Sequence, residues 1–69
     1  MRVHFNDLFT LQDGYVIPKH ATNLFNARTV PAGTKLQGDS FNGVVLERHT
    51  NAQFEVEDRE GVKVIRRVY

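Results

Sequence analysis

The stretch Gly43–Tyr69, GVVLERHTNAQFEVEDREGVKVIRRVY, decides the fold. β-Branched and aromatic residues alternate with charged ones in three runs, Val44–His49, Gln53–Glu57 and Val62–Tyr69. Turn-forming residues separate the runs, at Thr50-Asn51 and at Asp58–Gly61. A period of two between turn signals is typical of consecutive antiparallel strands. The stretch therefore predicts a three-stranded meander and an all-β domain.

A hairpin is predicted upstream, at Asp13-Gly14. This pair lies between the runs Thr10-Leu11 and Tyr15–Ile17, and Asp-Gly suits a type I′ turn because both central residues adopt positive φ. Pro18 ends the second strand because it has no amide to donate. Residues 3–11 fit a strand with a bulge near Asp7, which we favour, or a strand interrupted by a helical turn that starts at Asn6.

The segment from Pro18 to Ala27 has a different spacing of apolar residues. Ala21, Leu24 and Phe25 recur at i, i+3 and i+4, which predicts a short helical turn near residues 19–26. Short strands are predicted at Arg28–Val30 and Thr34–Gln37, and the glycine-flanked segment 38–43 is predicted as a loop.

These elements add up to five to seven short antiparallel strands within 69 residues. A single flat sheet of this size exposes one face and two edges, whereas closure into a barrel removes both problems. The fold predicted is one domain, residues 1–69, forming a small, partly open β-barrel of the SH3-like kind, with an OB-like barrel as the alternative.

Composition narrows the function classes. The chain is 41% hydrophobic and 25% charged, with a net charge of +1 and no cysteine. The small net charge argues against a dedicated nucleic-acid binder, which usually carries a larger basic excess. No apolar run resembles a signal-peptide core or a membrane span, so we expect a cytoplasmic protein. A domain this small has a marginal core, which favours association with another chain.

No arrangement of side chains indicates catalysis. The three histidines lack the local spacing of metal ligands, and Ser40 lies in a loop rather than on a strained strand-to-helix turn. Glu55 and Glu57 alternate with Phe54 and Val56, as on the solvated face of a half-buried strand. We expect no catalytic residue, metal or cofactor, and no enzyme.

The last strand breaks the alternation. Val62, Val64 and Val68 predict a core face that also contains Arg66, and the opposite face combines charges with Ile65 and Tyr69. Either a bulge near Ile65-Arg66 exchanges the faces, or a partner covers the second face. Arg66 at the barrel rim is the simpler alternative.

The pattern predicts a non-catalytic binding module, a small regulator or inhibitor of another protein, with a second copy of the chain as the other candidate partner. Isolated in a polar loop, Phe41 either fills a partner's pocket or plugs the barrel end. The predicted partner-binding residues are Phe41, Ile65, Arg66, Arg67 and Tyr69.

Two other functions stay open at the level of sequence. A nucleic-acid-binding barrel would set basic side chains against phosphates and an aromatic ring against bases. Its candidate residues are Tyr15, Arg48, Lys63, Arg66 and Arg67. The third function is that of a structural subunit in a larger assembly.

Overall fold

The computed structural model describes residues 1–69 as a mostly β domain. The elements in chain order are the strand β1 (Arg2–His4), the helical turn α1 (Phe5–Leu8), the strands β2 (Phe9–Gln12), β3 (Tyr15–Pro18), β4 (Thr22–Leu24), β5 (Arg28–Val30), β6 (Ser40–Phe41) and β7 (Val44–Val45), a 3-10 turn (Leu46–Arg48), and the strands β8 (Gln53–Arg59) and β9 (Val62–Val68). No helix is long and apolar enough to cross a membrane.

Five strands form the main sheet, in the order β1-β8-β9-β4-β5. All neighbours are antiparallel except β4 and β9, which are parallel, so the expectation of an entirely antiparallel fold is wrong at this pair. The strands β2 and β3 form a separate hairpin, as do β6 and β7. The prediction of a β domain is confirmed, whereas the main sheet has two free edges, β1 and β5, and no pairing closes it into a barrel.

Three hairpins turn on an X-Gly pair in which both residues have positive φ, and the β4-β5 turn has positive φ at Phe25 and Asn26 instead. Asp13 and Gly14 have φ of 52° and 81°, which confirms the hairpin predicted there. Asn42-Gly43 and Glu60-Gly61 adopt the same left-handed pair of conformations. Such turns match the twist of the flanking strands, and glycine accepts positive φ without steric cost.

The first strand predicted in the meander is mostly absent. Only Val44-Val45 is extended; it pairs with β6 rather than with β8, and the chain then enters the 3-10 turn. Leu46 is fully buried, so the 3-10 turn directs an apolar side chain into the core. The other two predicted strands are confirmed as β8 and β9, joined by a tight turn.

The helical turn lies elsewhere than predicted. Residues 22–24 form β4, because this segment pairs with both β5 and β9, and tertiary pairing overrides the helical spacing of its apolar residues. The helical turn is α1, so the single bulged strand favoured for residues 3–11 is wrong and the alternative with a helical turn is closer, although the cap is His4 rather than Asn6. Asp7 Oδ2 accepts a hydrogen bond from the His4 backbone N–H at 2.9 Å, which stabilises the start of α1.

The core centres on three phenylalanines from different elements. The ring centroids of Phe5 and Phe9 lie 5.1 Å apart, and each lies 6.3 Å from that of Phe54. All three side chains are at most 1% exposed. Because Phe54 belongs to the main sheet and Phe9 to the β2-β3 hairpin, this cluster joins the two.

Candidate binding surface

A β-bulge in β9 explains the break in alternation. Glu55 pairs with Arg67, but the next residue, Val56, pairs with Ile65, so Arg66 has no partner on β8. One extra residue exchanges the two faces of a strand, because side chains alternate at a period of two. The predicted bulge near Ile65-Arg66 is therefore present, and it places Ile65 in the core and both arginines at the surface.

Two of the predicted partner-binding residues are buried. Ile65 is 0% exposed and Phe41 is 4% exposed, and both belong to the hydrophobic core. The bulge turns Ile65 inward, and the short β6-β7 hairpin carries Phe41 into the core. Neither side chain presents surface to a partner in this fold, so the exposed candidates reduce to Arg66, Arg67 and Tyr69.

Tyr69 lies within a group of polar side chains that we call the Tyr69 cluster, formed by Arg2, Glu55, Arg67 and Tyr69. Strand pairing sets Arg2 opposite Glu55 on one side and Arg67 opposite Glu55 on the other. The Arg2 Cζ atom lies 3.9 Å from the centroid of the Tyr69 ring, and the Arg67 Cζ atom lies 5.8 Å from it. Both distances are within the reach of cation–π attraction.

Hydrogen bonds fix the position of the Tyr69 ring. The phenol donates to Glu55 Oε1 at 2.8 Å, and the backbone N–H of Tyr69 donates to the Gln53 carbonyl at 2.8 Å. The N-terminal ammonium of Met1 lies 2.5 Å from Glu55 Oε2. Tyr69 is thus tied to β8 through both its phenol and its backbone, while 46% of the residue remains exposed.

The same contacts shift two pKa values in opposite directions. The hydrogen bonds from the N-terminal ammonium and from the Tyr69 phenol lower the pKa of Glu55. The hydrogen bond to Glu55 raises the pKa of Tyr69, because ionising the phenol would remove the donor and place two negative charges together. Around neutral pH the cluster therefore holds a carboxylate and a neutral phenol.

The arginines of the surface differ in how far they are neutralised. Glu57 accepts ion pairs from Arg66 at 3.0 Å and from Arg59 at 3.1 Å. Arg2 and Arg67 form no ion pair within 4.0 Å, and neither guanidinium makes a hydrogen bond within the chain. Their N–H donors are consequently free to bind an acceptor on another molecule.

The residues predicted for nucleic-acid binding do not form one basic surface. Tyr15 lies on the β2-β3 hairpin, where the Lys35 ammonium is 5.4 Å from its ring, and Arg48 lies in the 3-10 turn. Lys63 is paired with Asp58 at 2.8 Å, and Arg66 is paired with Glu57. Two of the five residues are thus neutralised, and the others belong to separate elements.

Sequence reasoning missed Arg2. The alternation in Gly43–Tyr69 predicts that β8 and β9 pair, but it does not show which strand covers the other side of β8. That strand is β1, and only its pairing with β8 brings Arg2 next to Glu55. Long-range strand pairing of this kind leaves no local signal in the sequence.

The surface has no pocket, and no three histidine, acidic or cysteine side chains come together as metal ligands. Comparison with protein-family models, with curated proteins and with solved structures finds no match for this chain.

Proposed function

We propose that the chain is a non-catalytic binding module, a small regulator or inhibitor that binds another protein through the Tyr69 cluster, with Arg66, which is already paired with Glu57, beside it. The observation that carries this proposal is the partly exposed Tyr69, which is held to β8 by its phenol and its backbone and flanked by two guanidiniums that have no ion-pair partner.

Rigid aromatic and arginine side chains are well suited to protein recognition. Tyr and Arg are enriched among the residues that contribute most binding energy, typically more than about 2 kcal/mol each. A ring held in place before binding loses little conformational entropy on association. Tyr69 meets this condition because its phenol and its backbone are both hydrogen-bonded to β8.

The charges of the Tyr69 cluster favour an acidic partner. The Tyr69 cluster contains two guanidiniums and one carboxylate, and the free donors belong to Arg2 and Arg67. A guanidinium binds a carboxylate through two parallel hydrogen bonds. An Asp or Glu side chain on the partner would supply acceptors that the chain does not provide for these arginines.

An SH3-like, partly open barrel belongs to the same proposal. One core cluster of 13 buried hydrophobic residues combines side chains of the main sheet with those of both hairpins, as expected if the hairpins fold over one face of a curved sheet. The binding surface would then lie on the outside of the barrel.

Affinity capture with matched variants tests the proposed function. Extract from the native cell is passed over the immobilised wild-type chain and over the variants Tyr69→Ala, Arg67→Ala and Arg28→Ala. Arg28 is the control, because it is an exposed arginine on β5, outside the Tyr69 cluster. We expect captured protein to be retained by Arg28→Ala and reduced about tenfold or more by Tyr69→Ala, in line with the loss of one anchor residue.

Two outcomes would contradict the proposal. The first is capture of the same protein by a folded variant that carries both Tyr69→Ala and Arg67→Ala. The second is binding of the wild-type chain to single-stranded oligonucleotides with an affinity that falls steeply as salt increases, which would identify a nucleic-acid binder instead.

A further inference from the structure

The β2-β3 hairpin has one covered edge and one open edge. Hydrogen-bonded pairs alternate along an antiparallel hairpin, and the Lys19 N–H donates to the Leu8 carbonyl at 2.9 Å, which fixes the phase of this alternation. The register of the hairpin then makes Thr10 and Ile17 one backbone hydrogen-bonded pair, and Gln12 and Tyr15 another. The backbone groups of the alternate residues point away from the hairpin; these residues are Phe9, Leu11, Val16 and Pro18.

The edge formed by β3 is covered. The Val16 N–H donates to the Leu36 carbonyl at 2.8 Å, and the Leu36 N–H donates to the Val16 carbonyl at 2.9 Å. Leu11 is the residue directly opposite Val16. Its N–H and carbonyl point the other way, toward an edge where no strand of the chain pairs. The Phe9 N–H at that edge is already bonded to the Phe5 carbonyl of α1.

The side chain of Leu11 is uncovered as well. Leu11 lies on the same face of the hairpin as Phe9 and Val16, which are 1% and 0% exposed, yet Leu11 itself is 53% exposed. Side chains on this face normally pack against a neighbouring element. Leu11 has no such neighbour within the chain. The unpaired backbone and the uncovered side chain of Leu11 therefore occur at the same place.

The free edges of the main sheet are protected in a way that β2 is not. Strand β1 contains Arg2, and β5 contains Arg28 and is followed directly by Pro31. Charged side chains and proline on an edge oppose pairing with another chain. Strand β2, with the sequence FTLQ, contains no charged residue and no proline.

We propose that β2 pairs with β2 of a second copy of this chain, antiparallel, with a two-fold axis at Leu11. In this register Leu11 and Leu11 of the second copy exchange both backbone hydrogen bonds, and their side chains lie side by side on one face. Each Thr10 then lies opposite Gln12 of the other copy, so no like charges meet. The pairing uses the same patch on both copies and closes at a dimer.

The dimer is small and therefore weak. Four residues on each side bury less surface than the roughly 1,000 Å² expected of a stable interface, so we expect a dissociation constant on the order of 1 mM. The β2 edge does not include the Tyr69 cluster, so dimerisation is independent of the partner binding proposed above.

Sedimentation velocity over roughly 10 µM to 1 mM protein, a range that reaches the expected dissociation constant, tests this dimer with two variants. Leu11→Lys places a charge at the centre of the edge, and Ala32→Lys adds the same charge in an exposed turn. We expect the average mass of the wild type and of Ala32→Lys to rise with concentration, while Leu11→Lys remains monomeric. Backbone amide exchange provides a second reading in the wild type, since the Leu11 N–H should become protected as concentration increases.

Three results would overturn the proposal: a wild-type monomer at about 1 mM with a freely exchanging Leu11 amide, a Leu11→Lys variant that associates as the wild type does, or protection of Leu11 only after another protein is added. Leu11→Lys should still bind the partner of the Tyr69 cluster. Failure of the dimer and failure of the proposed function are thus distinguishable.

Discussion

At the scale of single residues, Glu55 links the charge of the Tyr69 cluster to stability. Its pKa is lowered in the folded chain, first by the N-terminal ammonium and then by the Tyr69 phenol. A lowered folded pKa gives stability that is fully present above the unfolded value, near 4.5, and is lost as pH falls through the folded value. We predict that Glu55→Gln lowers the urea midpoint at pH 7, and that the difference from wild type shrinks below about pH 4.5.

Glu60→Gln is the matched control for this prediction. Glu60 is an exposed carboxylate that makes no ion pair within 4.0 Å, and the substitution removes one charge in the same way. The difference in urea midpoint between Glu60→Gln and wild type should not change with pH as that of Glu55→Gln does. A difference between wild type and Glu55→Gln that stays constant from pH 7 to pH 3 would contradict the assigned contacts.

The Tyr69 phenol gives the complementary prediction at high pH. Its pKa is raised by the hydrogen bond to Glu55, so the phenol should ionise above its ordinary value of 10.0. Stability from this hydrogen bond is present below the unfolded pKa and is lost as pH rises through the folded one. Ultraviolet titration of tyrosinate should show the transition of Tyr69 moving toward pH 10.0 in Glu55→Gln. An unchanged titration curve would argue against the hydrogen bond.

At the scale of elements, the β8-β9 turn uses a residue poorly suited to its conformation. Glu60 has φ of 53°, in the left-handed region where Asn is much better tolerated, and Gly61 follows at 82°. Asn-Gly is the preferred pair for this turn type. We predict that Glu60→Asn raises the free energy of unfolding in urea by about 0.5–1 kcal/mol, and that Gly61→Ala lowers it by about 1 kcal/mol.

The substitution Gly61→Ala introduces no steric clash, because a Cβ atom there would meet nothing within 4 Å. Any loss in Gly61→Ala therefore reports backbone strain rather than a clash. If Gly61→Ala were as stable as wild type, the positive φ at this turn would be in doubt.

The same turns show how far sequence predicts this fold. Asp13-Gly14 is found because a two-residue turn is specified by its own residues. The helical turn predicted near residues 19–26 fails because β4 is held by β5 and by the distant β9. The strand predicted at Val44–His49 fails because alternation shows that a segment suits a strand without showing which strand it pairs with.

Prediction of the candidate site has the same limit. The broken alternation locates the bulge and the exposed arginines, since both follow from residues adjacent in sequence. It does not show that Ile65 turns inward rather than toward a partner, or that Arg2 lies beside Glu55, because both depend on which strands flank β8 and β9. Burial of Phe41 likewise depends on the whole core.

At the scale of the whole molecule, Phe54 packs the main sheet against the β2-β3 hairpin. It is 0% exposed and lies 6.3 Å from the rings of both Phe5 and Phe9. Truncating a buried phenylalanine to alanine costs about 3–5 kcal/mol. A domain of 69 residues has a total stability of roughly 3–10 kcal/mol, so we predict that Phe54→Ala unfolds the chain or leaves it with little stability.

Phe54→Leu and Leu11→Ala make this prediction quantitative. Leucine keeps most of the apolar volume, so Phe54→Leu should remain folded with a lower urea midpoint, whereas Leu11→Ala in a monomeric solution should change little because Leu11 is 53% exposed. Far-ultraviolet circular dichroism during urea titration measures all three variants. If Phe54→Ala unfolded at the wild-type midpoint, the main sheet and the β2-β3 hairpin would not share one core, and the partly open barrel would have to be abandoned.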